Sequence, residues 1–432
     1  MTVRRFAGTR VRSGAVPRVG LFGLLGSGNI GNDVSMESVL RYLRADHPDA
    51  IVDAMCKGPA TVTERYDVPA IPMNWYQEYE QRASGVTAVV LKALGKGVDV
   101  FRTARWVRQH DVVIVPGMGV LEASLPLPPW GMPYAMFLIS ASGRLFGTKV
   151  ALVSVGANAI NKWLTRRLFD SAARLAFYRS YRDVGSREAM RQRGLDVTRD
   201  RVYPDLAFAI PTPHGTAADP LTVGVGVMDY HGGNDDRGQA AEIYASYIES
   251  IKLFVRWLVD SGRVVRLFIG DTNNSDEAVL QEILSDLRAN RPDLDPAQVI
   301  AEPVSSFADL IQAMAPAGII VATRFHNVIC ALMLAKPTIS LGYAPKFTSL
   351  MTEMGLSDFC QPTKSLNVER LIEQFTELEK RQAELQQAIR DRNAEYVRLL
   401  DQQFAQLSAI LFQASGPVRA SSGREPAGGG VR

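Results

Sequence analysis

Short apolar segments alternate with longer helical patterns along most of this 432-residue chain, and this alternation restricts the possible folds more than any other feature. Repeats of strand, helix and strand favour a parallel sheet wrapped by helices. The alternation is interrupted once, in the stretch 204–221 with its four prolines, and then starts again. A chain of this length also exceeds the size at which one hydrophobic core stops growing. We therefore predict an α/β protein with two doubly wound domains and a site in the cleft between them.

The same pattern divides the chain into consecutive parts. We place a flexible N-terminal segment at 1–17, the first domain at 18–210, a linker at 211–220 and the second domain at 221–366. One long C-terminal helix follows at 367–413 and a disordered tail at 414–432. Polar residues interrupt the apolar stripe of the long helix, so we expect it to pack back over both domains and not to form a coiled coil. The tail is rich in Gly, Ser and Pro, as disordered segments are.

Composition excludes several classes of protein. The 48 basic and 45 acidic residues are too evenly balanced to indicate a nucleic-acid partner. Three cysteines without paired spacing argue against a disulfide framework or a zinc site, and favour a reducing compartment. The most apolar stretch, 134–145, is too short for a membrane span and is interpreted as a buried helix. We therefore expect a cytoplasmic protein with no transmembrane segment and no metal.

A first glycine-rich turn follows the first predicted strand and opens a helix. Gly26, Gly28 and Gly31 have the spacing G-x-G-x-x-G, and Asp53 follows at the distance typical of dinucleotide-binding folds. Against that interpretation, Asp33 places a carboxylate at the helix start, where a cofactor phosphate needs positive potential. Two interpretations stay open at this point: a ligand-binding turn, or a tight turn in which Asp33 caps the helix.

Two further strand ends carry candidate binding residues. Gly117 and Gly119 follow the buried strand 111–116, at the edge of a parallel sheet where ligands bind. Arg182 stands where a short strand passes into a helix, and we expect its guanidinium to point into the cleft and hold a carboxylate or phosphate. Asp183 would orient it and Ser186 would cap the helix. The alternative is a local ion pair on the surface.

The segment that begins at Thr323 is the sharpest local feature. It follows the apolar strand 318–322 and starts a helix, so free backbone N–H groups, the helix dipole and Arg324 would converge on one point and form an anion site. His326 would stand beside it with a pKa near its working range, suited to proton transfer. Lys346, after the next strand, would add a second cation to the same cleft.

Taken in order, these segments resemble the polysaccharide pyruvyl transferase family. The resemblance spans residues 18–361 and rests on five elements: the turn Gly26–Asp33 with Asn29, Arg182-Asp183-x-x-Ser186, Pro204–Phe208, Arg324-x-His326 and Tyr343-x-x-Lys346. It implies two Rossmann-like domains in the arrangement of GT-B glycosyltransferases. The implied reaction transfers pyruvate from phosphoenolpyruvate to two hydroxyls of a glycan sugar as a ketal and releases phosphate, with no other cofactor.

The resemblance also implies a role for each residue. His326 would protonate the donor's methylene carbon, and Asp33 would bind or deprotonate the sugar hydroxyls. The donor's charges would be neutralised by Arg324, Arg182 and Lys346 with Thr323. The remaining substrate-binding candidates are Asp183, Ser186, Tyr343, Gly28, Asn29, Gly31, Gly117 and Gly119.

The implied setting is the synthesis of cell-envelope glycans. If the acceptor is lipid-linked, the enzyme would work in peripheral contact with the inner face of a membrane, with help from the arginines of the N-terminal segment. Three alternatives remain at this stage. The first is a GT-B glycosyltransferase that uses a nucleotide sugar, the second a non-catalytic binding or scaffold protein, and the third a dinucleotide-dependent dehydrogenase.

Overall fold

A computed structural model describes residues 16–78, 85–123, 128–213, 218–233, 236–272 and 275–412. The predicted disordered tail, and almost all of the predicted flexible N-terminal segment with its arginines, lie outside these ranges. Within them the chain forms two α/β domains, each built on a parallel sheet. The predicted fold class is therefore confirmed.

The first domain contains a seven-stranded sheet in the order β3-β2-β1-β4-β5-β6-β7. Its central strands are continuous apolar segments, because helices cover both faces of a parallel sheet. The strands are β1 Arg18–Gly23, β2 Ile51–Cys56, β3 Ala70–Pro72, β4 Val112–Pro116, β5 Lys149–Val155, β6 Tyr178–Tyr181 and β7 Arg201–Val202. The helices are α1 Ile30–Asp46, α2 Pro59–Tyr66, α3 Gly85–Arg108, α4 Met132–Phe146, α5 Trp163–Leu175 and α6 Val184–Gln192.

The second domain contains a six-stranded sheet in the order β10-β9-β8-β11-β12-β13. Its strands are β8 Asp219–Gly226, β9 Val264–Phe268, β10 Val299–Ala301, β11 Ala317–Ala322, β12 Thr338–Gly342 and β13 Cys360–Pro362. Its helices are α7 Ala240–Asp260, α8 Ser275–Asn290, α9 Phe307–Met314, α10 Phe325–Met333 and α11 Pro345–Glu353. In each sheet the order reverses between the first strand and the one beside it, at β1/β4 and β8/β11, and ligands of such folds bind at this switch point.

The C-terminal segment differs from the prediction of one unbroken helix. It forms α12 Val368–Lys380 and α13 Gln382–Leu407, separated at Arg381, and ends in a π-helical turn, Ser408–Phe412. The prediction that it packs over both domains is confirmed. Gln403 is fully buried and bonds Ser154 of the first domain at 3.0 Å, and the Asn393 amide donates to the Leu332 carbonyl of the second at 2.7 Å. Polar residues of the C-terminal segment therefore make contacts with both domains.

The two domains also touch through the first glycine turn. The Gly28 carbonyl accepts a hydrogen bond from the Thr272 amide at 3.0 Å, and Asn29 bridges to Asp271 in the loop after β9. These contacts hold the carboxyl edges of the two sheets against each other. In the described part of the chain, no helix combines the length and apolarity that crossing a bilayer requires.

Candidate active site

The two sharpest sequence motifs meet across the domain boundary. Gly31 lies in the first turn of α1, after β1, and His326 lies in the first turn of α10, after β11. A Cβ atom at position 31 would stand 1.8 Å from the Nδ1 atom of His326, so the imidazole ring occupies the space that a side chain would take. Only glycine at position 31 allows this approach, because every other residue carries a Cβ.

His326 is enclosed by charged side chains. Its side chain is 14% exposed, and its Nε2 atom lies 3.9 Å from the Asp205 carboxylate. Burial lowers the pKa of His326 to about 4; Asp205 opposes that shift, while Arg182 and Lys346 reinforce it. The imidazole of the free protein is therefore neutral near pH 7, and the prediction of a pKa near its working range is wrong for this state.

Polar atoms without a partner cluster at the start of α10. Among the described residues, the buried Nε2 of His326 and both amide atoms of Asn327 have no hydrogen-bond partner. Asn327 is fully buried against Gly226 and Gly270. Because buried polar groups are almost always satisfied, each such atom requires an explanation, and a ligand is one.

Arg182 does not point freely into the cleft as predicted. Its side chain is 2% exposed and forms ion pairs with Glu122, with Asp205 at 3.4 Å and with Asp183 at 3.8 Å. The guanidinium carbon also lies 5.1 Å from the ring centre of Phe325 in the second domain. Burial alone would lower the pKa of Arg182, but the three carboxylates raise it, so the group stays charged. It is a buried cation at the domain boundary.

Glu122 joins the two domains electrostatically. One of its carboxylate oxygens binds Arg182, and the other lies 3.3 Å from the Nζ atom of Lys346. Burial alone would raise the pKa of Glu122, but Lys346 and Arg182 together lower it to about 2. Lys346 also lies 5.0 Å from the Phe325 ring centre. Two of the three cations predicted for the cleft, Arg182 and Lys346, therefore share one carboxylate of the protein.

Sequence reasoning missed Glu122 and left Asp205 out of the site. Glu122 follows the second glycine turn, and Asp205 follows Pro204 in a segment already noted for the resemblance. The glycines near Glu122 explain its position. A Cβ at Gly119 would lie 2.8 Å from its carboxylate and one at Gly156 would lie 2.1 Å away. In this structure the predicted substrate-binding residue Gly119 therefore makes room for Glu122.

Three other predicted residues serve the local fold. Asp183 caps α6, accepting hydrogen bonds from the Ser186 amide at 2.6 Å and its hydroxyl at 2.9 Å, so the predicted capping role belongs to Asp183 and not to Ser186. Gly117 has a positive φ of 53°, and a Cβ there would lie 2.6 Å from the Ser35 hydroxyl. These contacts hold β4, β6 and α1 in place around Arg182.

Arg324 and Thr323 are also engaged. The Arg324 guanidinium forms a two-pronged pair with the Asp276 carboxylate, at 2.8 Å from Nε and 2.6 Å from Nη2. Thr323 is fully buried, and its hydroxyl lies 3.0 Å from the Tyr247 hydroxyl. Arg324, which was expected to be a free cation at this helix start, is therefore paired. Asp276 occupies the two guanidinium N–H groups that would bind a ligand carboxylate.

The first glycine turn is held by its own side chains. Asn29 caps α1 by accepting a hydrogen bond from the Gly31 amide at 3.1 Å, so the cap is not Asp33. Asp33 accepts a hydrogen bond from the Gly26 amide at 2.7 Å. Burial raises the pKa of Asp33 to about 6, although the bond from Gly26 opposes the shift. Its carboxyl stabilises the turn beneath the domain contact.

The dinucleotide interpretation is wrong at its acidic residue. Asp53 accepts a hydrogen bond from the Trp106 indole at 2.7 Å and lies 3.0 Å from Nε2 of His110. Both carboxylate oxygens are thus bound inside the first domain. Asp53 is therefore not presented to a ribose hydroxyl as a dinucleotide fold requires.

Two cavities border the site. One of about 20 Å³, lined by Arg182, Asp205, Phe325 and Lys346 among others, has room for little more than a water molecule. A second cavity, of about 470 Å³, opens at the carboxyl ends of β8, β12 and β13. The rings of Tyr230 and Tyr343, both in its wall, lie 5.9 Å apart. Tyr343 is thus placed in a cavity that can hold a sugar-sized ligand.

These two domains, with the site between them, form an α/β fold in a GT-B-like arrangement. The fold resembles that of UDP-GlcNAc 2-epimerase from Methanocaldococcus jannaschii, with a TM-score of 0.55 and 12% identity over 83% of this chain and 92% of that one. It also resembles UDP-GlcNAc 2-epimerase from Neisseria meningitidis bound to UDP-GlcNAc, with a TM-score of 0.54 and 11% identity over 90% of this chain and 99% of that one. A glycosyltransferase from Rickettsia africae is similar as well, with a TM-score of 0.55 and 12% identity over 92% of this chain and 100% of that one. No curated protein matches the chain significantly in sequence.

The family model of polysaccharide pyruvyl transferase matches residues 29–345, which is well over half of the chain. The chain belongs to the polysaccharide pyruvyl transferase family. The matched range begins at the cap of α1 and ends at the first residue of α11. It therefore includes every element that carries Glu122, Arg182, Asp205 and His326.

Proposed function

We propose that the protein transfers pyruvate from phosphoenolpyruvate to two hydroxyls of a glycan sugar, forming a ketal and releasing phosphate. One observation carries the proposal: His326, with an unpartnered Nε2 atom, lies at the domain boundary within the electrostatic influence of two cations, the buried Arg182 and the partly buried Lys346. A donor with a carboxylate and a phosphate needs two cations held apart and a proton-transfer group beside them. The chain's family membership supports the same assignment.

The donor would enter by replacing Glu122. The carboxylate of Glu122 holds Lys346 and Arg182 as an anionic substrate would, and the adjoining cavity of about 20 Å³ is too small for phosphoenolpyruvate. We infer that the two domains separate, or the Glu122 loop withdraws, before the donor binds. The donor carboxylate or phosphate then takes over the contacts of Glu122, and no buried cation is left unpaired.

Proton transfer follows from the charges that the donor brings. In the free protein His326 is neutral, because burial lowers its pKa to about 4. A bound donor with two negative groups raises the imidazole pKa, since opposite charge favours the protonated form. Nε2 then carries a proton towards the donor's methylene carbon, and Asp205 stabilises the imidazolium from 3.9 Å.

The chemistry balances with two sugar hydroxyls. Protonation of the methylene carbon gives a methyl group and makes the central carbon electrophilic. The first hydroxyl adds there and loses its proton; phosphate then leaves with its bonding electrons, and the second hydroxyl adds and loses a proton. A direct contact between Asp33 and the sugar stays a prediction, while its bond to Gly26 holds the turn against which His326 packs.

The experiment is incubation with phosphoenolpyruvate and a panel of glycan acceptors, free and lipid-linked, with phosphate and product mass as readouts. In heavy water the product methyl group gains one deuterium, because the third hydrogen comes from the solvent through the protein. Acceptor-dependent phosphate release with this mass signature supports the proposal. Absence of phosphate release with every acceptor, from protein shown to be folded, rejects it.

The larger cavity favours a second candidate, a glycosyltransferase that uses a nucleotide sugar. The cavity of about 470 Å³ lies at the carboxyl end of the second sheet and has two tyrosine rings in its wall, and such edges bind ligands in open α/β sheets. Thermal unfolding separates the two candidates, because a ligand that binds only the native state stabilises it. Protection by UDP- or GDP-linked sugars but not by phosphoenolpyruvate would favour this candidate.

A further inference from the structure

Large apolar side chains are exposed on the outer helices of the first domain. Phe101 is 79% exposed and Leu94 61% on α3, Leu145 is 75% exposed on α4, and Trp130 and Trp163 stand exposed beside the starts of α4 and α5. Scattered exposed apolar residues are ordinary, but a concentration of this kind marks an interaction surface. We call these five residues the α3–α4 face.

The members of the α3–α4 face belong to neighbouring elements of the first domain. Leu94 and Phe101 are seven residues apart, so they lie on the same side of α3, opposite its buried residues. Helix α4 packs between α3 and α5. The Tyr134 hydroxyl on α4 donates to the Lys96 carbonyl on α3 at 3.0 Å, and the Trp130 ring lies 5.6 Å from that of Tyr134. Leu94 and Phe101 therefore share one side of α3, and Leu145, Trp130 and Trp163 lie on or beside the neighbouring helices α4 and α5.

The two helices that carry most of this surface are basic. Helices α3 and α4 contain six Lys or Arg residues and a single acidic residue, Asp99. Asp99 is buried and pairs inward, at 3.4 Å, with Lys96. The exposed cations of the two helices are Lys92, Arg105, Arg108 and Arg144. A second copy of the chain docked here symmetrically would bring cations against cations, which opposes self-association.

We propose that the α3–α4 face docks onto an anionic lipid bilayer. A bilayer offers an apolar interior for Leu94, Phe101 and Leu145, and anionic headgroups for the surrounding cations. Exposed tryptophans such as Trp130 and Trp163 suit the boundary between these two layers. The apolar centre argues against a polar acidic surface as the partner, and the cations argue against a neutral one.

Part of the docking surface lies at the same edge of the first sheet as the candidate active site. Helices α4 and α5 start after β4 and β5, so Trp130 and Trp163 lie towards the carboxyl edge of the sheet, where the domain cleft lies. If the proposed function holds, this geometry brings the cleft close to sugars carried on membrane lipids. Docking itself is independent of that function, since it requires neither donor nor acceptor.

Vesicle flotation of the full chain tests the proposal, with vesicles of phosphatidylcholine alone and of equal parts phosphatidylcholine and phosphatidylglycerol. We expect the protein to float only with the anionic vesicles. The double variant Leu94→Gln, Phe101→Gln should weaken binding about tenfold or more through lost apolar burial. Arg105→Gln and Arg108→Gln should each weaken it about fivefold. The matched control, Leu221→Gln with Leu253→Gln, alters exposed leucines of the second domain and should bind normally.

Three outcomes would overturn the proposal. The first is failure of the wild-type protein to bind anionic vesicles. The second is unchanged binding by the Leu94 and Phe101 variant, shown by circular dichroism to be folded. The third is a change from dimer to monomer in that variant by analytical ultracentrifugation, which would assign the face to a second copy. None depends on enzyme activity, so failure here leaves the proposed function to its own test.

Discussion

Removing the charge of Glu122 should tighten donor binding while destabilising the folded protein. The pKa of Glu122 falls from 4.5 to about 2 because Lys346 and Arg182 outweigh the effect of burial. A shift of this size corresponds to about 3 kcal/mol in favour of the ionised carboxylate. Since the folded-state pKa is lowered, this contribution to stability is present above pH 4.5 and is lost as the pH falls towards 2. At pH 7, Glu122→Gln should lose up to about 3 kcal/mol of stability.

The same free energy opposes the donor in the wild-type protein, because the donor's anionic groups must displace Glu122 from both cations. Glu122→Gln should therefore bind phosphoenolpyruvate more tightly, with a gain between about 10-fold and roughly 100-fold. Isothermal titration calorimetry measures the affinity, and urea unfolding measures the stability. Glu188→Gln is the matched control: the Arg191 and Gln192 side chains lower the pKa of Glu188 to about 2 as well, but it lies on the exposed surface of α6.

The control should change neither quantity measurably, because exposed ion pairs contribute little. Weaker or unchanged donor binding by Glu122→Gln, in protein that is still folded, would refute the reasoning. It would mean that Lys346 and Arg182 hold the domains together and do not receive the donor. Tighter binding without any loss of stability would contradict the pKa argument alone.

Three further predictions concern residues around His326. Gly31→Ala would place a methyl group in the space of the His326 imidazole, so phosphate release should fall at least tenfold. The control Gly97→Ala has open space around it and should release phosphate at the normal rate. Equal activity of the two variants would contradict the packing of His326 against Gly31. The raised pKa of Asp33 favours its protonated form, so the wild type should lose about 1.4 kcal/mol of stability between pH 5 and pH 8 as the carboxyl ionises near pH 6. Asp33→Asn should abolish this loss, measured by urea unfolding at the two pH values, and parallel pH profiles of variant and wild type would refute the reasoning. Arg324→Lys should lower stability by about 1 to 3 kcal/mol, because lysine cannot form the two parallel hydrogen bonds to Asp276. An unchanged midpoint of urea unfolding would show that these two bonds do not stabilise the fold.

Much of the architecture is readable from the sequence because its physical cause is local. Strands such as β4, Val112–Pro116, are buried along their whole length and so appear as unbroken apolar segments. The start of α10 and the turn before α1 were likewise visible, since strand ends and glycine spacing are local signals. The switch-point rule places each of them at the ligand-binding edge of its own sheet, and the packing of the two domains brings the edges together.

The break in the C-terminal segment could not be read in the same way. Residues around Arg381 are strong helix formers, with neither Gly nor Pro to mark an end. The break arises because α12 packs on α7 of the second domain, whereas α13 continues across to the first. Tertiary packing therefore decides where the helix breaks. The helical spacing of apolar residues on either side of Arg381 does not indicate the break.

The electrostatics of the site were also beyond sequence reasoning. Arg182 was predicted to meet a ligand and instead meets Glu122 and Asp205, which lie 60 and 23 residues away along the chain. The pairing of Arg182 with these two carboxylates depends on packing within the first domain, and the pairing of Glu122 with Lys346 depends on how the two domains close; no spacing encodes either. The low pKa of His326 has the same origin, since its burial is completed by Gly31 of the other domain.

In the proposed reaction His326 transfers a proton to a donor held by Arg182 and Lys346. The most direct measurement combines phosphate release with thermal protection by phosphoenolpyruvate for His326→Gln beside the wild type. We predict that the variant is still protected by the donor but releases phosphate about 100-fold more slowly or worse, because one proton-transfer group is lost. Phosphate release at a near-normal rate by protected, folded His326→Gln protein would contradict the claim.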